Sequence, residues 1–142
     1  MRPMRRYLVV SNQTLLSEAL VEKVRSCRAA GPCQFHVVVP ATHGHEHLTW
    51  TEGHDRAVAR ERLASTLERL REVGAAVDGE VGDARPLDAI ADAMRERPPF
   101  DEILLFTHPP GLSRWLHQDL PHRAQRQFSI PVTHIVAEPA SA

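Results

Sequence analysis

Apolar positions along this chain follow two periods that alternate. Residues 7–10, 35–39, 103–106 and 132–136 are short, mostly apolar runs bounded by turn residues. Runs of that length without polar alternation read as strands buried on both faces. Residues 75–81 read as a weaker strand, followed by Gly82-Asp83. Between the runs the spacing becomes helical. Leu16, Leu20, Val24 and Cys27 predict a first helix, stopped by Gly31-Pro32. Thr49-x-x-Glu52 has the form of a capping box before a second helix, with Leu63, Leu67 and Leu70 as its buried stripe and Gly74 at its end. Asp83, ahead of Pro86, is placed to start a third helix with Leu87, Ile90, Ala91 and Met94 inside; Pro98-Pro99 end it. Leu120, Ala124 and Phe128 predict a fourth, with Asp119 near its start and Pro131 as its breaker. Strands alternating with helices imply a parallel sheet with right-handed crossovers, hence a three-layer α/β/α sandwich.

Composition narrows the class without changing that picture. A length of 142 residues suits one domain, read here as residues 5–137 with tails at 1–4 and 138–142. A formal net charge of −1 gives no general attraction to nucleic acid or acidic membranes. Aromatic residues are only 5% of the chain, too few for a base-stacking platform. No apolar run approaches the ~20 residues of a membrane span. The start is basic, but the apolar run at residues 7–10 is too short for a signal peptide, so a cytoplasmic location is expected. Cys27 and Cys33 form neither a metal motif nor a secreted disulfide framework, and read as reduced, part-buried thiols.

Candidate chemistry collects after the strand at residues 103–106. Open α/β sheets bind ligands beyond the carboxyl ends of their strands, which directs attention to the loop at residues 107–119. His108 stands where a general acid or base works, with Thr107, Asn12 and Thr42 at neighbouring strand ends. No nucleophile–base–orienter set is legible, so no catalytic residue is assigned. The competing reading is a structural connection: prolines rigidify it, Trp115 and Leu116 plug the core, and Asp119 caps the helix. His43, His45 and His47 are the only metal candidates; no carboxylate or cysteine completes a ligand set, and solvated loop histidines are the plainer reading. His36 and His134 fall inside strands, as satisfied core or edge groups.

Several passages resemble the universal stress protein family, within the adenine-nucleotide-hydrolase-like superfamily. They are Phe35-His36-Val37-Val38, Val81-Gly82-Asp83 with Ile90, Phe100-Asp101-Glu102-Ile103-Leu104-Leu105, and Gly111-Leu112-Ser113-Arg114-Trp115-Leu116 with Ala124 and Ile130-Pro131-Val132. The resemblance spans residues 5–137 and is most specific over 77–136. It implies a Rossmann-like sheet of strand order 3-2-1-4-5, a stress-response role, and a homodimer through the last strand, Val132–Val136. Many members hold ATP with G-x-x-G, nine residues, then G-[ST]. Here Thr107-His108-Pro109-Pro110 replaces the first pair, one residue shorter, and Gln118-Asp119 replaces the last. Proline offers no N–H, and an aspartate repels a triphosphate unless a metal intervenes. Asn12 stands where nucleotide-binding relatives have aspartate; Gly111 and the Ser113-Arg114 pair remain.

The resulting expectation is a regulatory module holding an adenine nucleotide or another small anion at the ends of strands one, two and four. Val37 would offer backbone groups to a base, and Asn12 and Thr14 polar contacts. Ser113 and Arg114 would meet the anion, with Thr42, Thr107, His108, Gly111 and Gln118 completing the lining. The alternatives are a ligand-free dimerisation protein and, more weakly, a hydrolase using His108.

Overall fold

The computed structural model describes residues 4–11, 18–41, 52–97, 99–107 and 119–136, with side chains from residue 56 onward in the second helix. The chain runs β1 (Arg5–Ser11), α1 (Glu18–Ala30), β2 (Cys33–Pro40), α2 (Glu52–Glu72), β3 (Val77–Gly82), α3 (Pro86–Glu96), β4 (Glu102–Thr107), α4 (Leu120–Gln127) and β5 (Val132–Val136). The five strands form one sheet of order β3-β2-β1-β4-β5, and every neighbouring pair is parallel. This is a Rossmann-like α/β sandwich, as the alternation of periods predicts.

Pleating divides the apolar runs between two cores. Tyr7, Val9, Phe35, Val37, Leu104 and Phe106 face α1 and α2, meeting Leu20, Val24, Ala59 and Leu70. Leu8, Val10, Val38, Ile103 and Leu105 face α3 and α4, meeting Ile90, Ala93, Leu120 and Ala124. Strands buried on both faces need apolar side chains at every position, which is why these runs do not alternate. The inner stripe of α3 is Ala89, Ile90 and Ala93, with Leu87 and Met94 packed beside it; Ala91, expected inside, is only partly buried. Residues 86, 89, 90 and 93 share a helical face, and 91 lies off it.

Two predicted caps behave differently from expectation. Asp83 does not cap α3: its Oδ1 accepts the Arg85 N–H at 2.8 Å, an Asx-type turn, and Arg85 occupies the N-cap position. Asp119 does occupy the N-cap of α4, but in a left-handed conformation (φ 56°) with no side-chain cap bond; its carboxylate lies 3.3 Å from His122 Nδ1. Both helices carry proline in the first turn, which presets the backbone there and removes a donor that a cap would satisfy.

Candidate functional site

The carboxyl end of the sheet is the place the topology sets aside. From β1 the chain steps to β2 on one side, and from β4 it steps to β5 on the other, so the connections diverge at the β1–β4 boundary. Ser11 ends β1 and Thr107 ends β4, and both are buried. Beside them Ala41, just past β2, donates its N–H to the Gly82 carbonyl at 3.1 Å and ties β2 to the end of β3.

Two of the expected ligand residues lie in the described structure. Val37 is wholly buried in the middle of β2, paired with Val9 and Gly79. It sits three residues before Pro40, roughly 10 Å from the strand's end at the usual rise per residue. Thr107 is at the strand end, but its hydroxyl is 2.7 Å from His134 Nε2 of β5. Burial lowers the His134 pKa, which favours the neutral ring, with one nitrogen free to accept. The Thr107 hydroxyl therefore serves the β4–β5 pair. Asn12, Thr14, Thr42, His108, Gly111, Ser113, Arg114 and Gln118, like His43, His45 and His47, lie outside the described residues.

A cavity of about 420 Å³ opens between α3 and α4. Leu87 and Leu120 form its apolar lining, and Arg85, Arg123, Asp88 and Gln127 its polar one. Arg85 lies 3.9 Å from Asp88, an exposed and weak pairing.

A polar cluster that the sequence reading did not foresee lies across β2 and β3. His36 is only 2% exposed; its Nδ1 is 2.9 Å from Asp78 Oδ1, and its Nε2 is 3.6 Å from Glu80 Oε1. Arg97, beyond α3, reaches both carboxylates, at 3.5 Å to Asp78 and 3.6 Å to Glu80. A carboxylate on an imidazole is the base–orienter half of a catalytic set. Here, however, Nε2 is buried without a hydrogen-bond partner and faces Glu80, so no substrate atom reaches it. The cluster is a structural joint between β2, β3 and the end of α3. Its sequence signal was the alternation Asp78-x-Glu80, which becomes readable only once register places Asp78 opposite His36. Among the described residues no group of three His, Cys, Asp or Glu side chains can hold a metal ion.

No family model and no curated protein matches the chain.

Proposed function

We propose that this chain is a universal-stress-like regulatory module that binds an adenine nucleotide or another small anion at the carboxyl end of its sheet. The observation that carries the proposal is the divergence of connections between β1 and β4, the crevice in which sheets of this order take ligands. The chemistry of the loop sequence supports an anion: Ser113 and Arg114 follow Gly111 there. The test is thermal unfolding with millimolar ATP, ADP, AMP and cyclic AMP. Ligand about a hundredfold above Kd adds about 2.7 kcal/mol. For a chain of this size each kcal/mol moves Tm by about 2–4 °C. The expected result is a rise with at least one nucleotide that shrinks in Arg114→Ala. No shift with any of the four overturns the reading.

A second reading, a ligand-free dimerisation protein, is favoured by the place of β5 at the edge of the sheet, where no further described strand pairs with it. Val136 is 39% exposed on that edge, one of two large apolar side chains so exposed among the described residues. A second copy of the chain is the cover proposed for it. Strand β5 would pair with its copy, and a lysine on such an edge blocks pairing. Sedimentation should then show a dimer at micromolar concentration and a monomer for Val136→Lys. A wild-type chain that stays monomeric removes this reading.

A further inference from the structure

The short turn after α1 brings the two cysteines of the chain together. Cys27 lies in the last turns of α1 with its side chain buried against the sheet. Only Gly31 and Pro32 separate α1 from β2, whose first residue is Cys33. The chain reverses within those residues: Gly31 N–H bonds the Arg28 carbonyl at 3.3 Å, and Arg5 N–H bonds the Pro32 carbonyl at 3.1 Å. Cys33 pairs with Arg5 in the β1–β2 register, and Tyr7, two residues on from Arg5, lies on the same face. That is the face α1 covers. Tyr7 and Cys27 belong to one buried core cluster, and Cys33 packs against it. Both thiols line one open cavity of about 190 Å³, with Arg5, Tyr7 and Pro32 among its walls.

We propose that Cys27 and Cys33 form a redox-modifiable dithiol that closes to an intramolecular disulfide when it meets a low-molecular-weight disulfide such as oxidised glutathione. Cys33 is the partly exposed member and reacts first. Its thiolate attacks one sulfur of the oxidant, forming a protein–glutathione mixed disulfide and releasing one glutathione thiolate. Cys27, after losing its proton, attacks the Cys33 sulfur and expels the second glutathione. Two protein thiols are oxidised and one small disulfide is reduced to two thiols, the released glutathione thiolates taking up, through solvent, the two protons that the cysteines gave up.

The surroundings set the pace. Burial pushes both thiols above their usual value, and outweighs the opposing pull of Tyr7 and Lys23 on Cys27 and of Arg28 on Cys33. The exchange is therefore slow at neutral pH. It accelerates about tenfold per pH unit while the thiolate is the minor form.

The test uses the full reduced chain, oxidised glutathione, thiol titration and intact mass spectrometry. Wild type should lose both thiols, lose the mass of two hydrogens and retain no glutathione. Cys27→Ser should stop with one glutathione on Cys33. Cys33→Ser should react at least tenfold more slowly. The wild-type result stands alone if either variant fails to fold. Glutathione retained on wild-type Cys33 overturns the proposal, as do disulfides between chains. So does persistence of both thiols under conditions in which the urea-unfolded chain closes the bridge.

Discussion

Phe106→Ala should lower folding stability by about 3–5 kcal/mol, the usual cost of emptying a buried aromatic site. Phe106 is wholly buried near the end of β4, paired with Ser11 of β1 on one side and Ile135 of β5 on the other. It therefore fills the core where the central strands and the edge strand meet, one residue before the end of β4. A strand held in the ladder on both sides cannot move to close the hole, so most of the transfer and cavity cost remains. Urea unfolding should show the midpoint falling with an unchanged slope, the mark of lost stability rather than altered compactness. Phe106→Leu keeps an apolar side chain in the site and should lose less than half as much. A loss below about 1 kcal/mol for Phe106→Ala would mean the site collapses readily, contrary to its place between two paired strands.

How far the sequence reveals this molecule depends on which interaction fixes each part. The runs at residues 7–10, 35–39 and 103–106 are legible because burial on both faces demands unbroken apolar sequence, and they are the three central strands. The helices are legible for the same reason, through stripes such as Leu120 and Ala124. What fails to show is whatever depends on register or on close approach. His36 looks like a single strand histidine until Asp78, 42 residues away, is set opposite it. Thr107 looks like a free hydroxyl at a strand end until β5 brings His134 to it. Val37 looks available for a base until the sheet closes on both sides of it. The switch point between β1 and β4 was thus legible in the sequence, because the alternation of strands and helices implies it and the strand order shows it. Its residues were less legible, because a side chain's partner across the sheet decides whether it is free for a ligand.

The weak appearance of β3 has the same origin and leads to the second large effect expected. Its sequence, Val-Asp-Gly-Glu-Val-Gly, lacks the bulk of the other strands because helices approach its backbone closely. A Cβ on Gly79 would lie 2.7 Å from Leu63 Cδ1 and 2.7 Å from the Val37 carbonyl oxygen, with Leu67 Cδ2 at 3.3 Å. The leucine tips can rotate away; the carbonyl, held in the central sheet, cannot. Gly82 is the counterpart on the other face, where a Cβ would lie 2.8 Å from Val38 and 2.9 Å from Ala89 of α3. β3 is therefore clamped between α2 and α3 at two positions that admit no side chain. Gly79→Ala should cost about 2–3 kcal/mol, in the upper part of the range for overpacking, and Gly79→Val more. Adding Leu63→Ala to Gly79→Ala should then cost less than the two single losses summed, because it clears one of the two obstacles. It should not restore wild-type stability, since the Val37 carbonyl stays in place. Chemical denaturation of the four proteins in that cycle measures the coupling. Simple additivity would mean that α2 does not rest on β3 at Gly79, and that the low bulk of this strand has another cause.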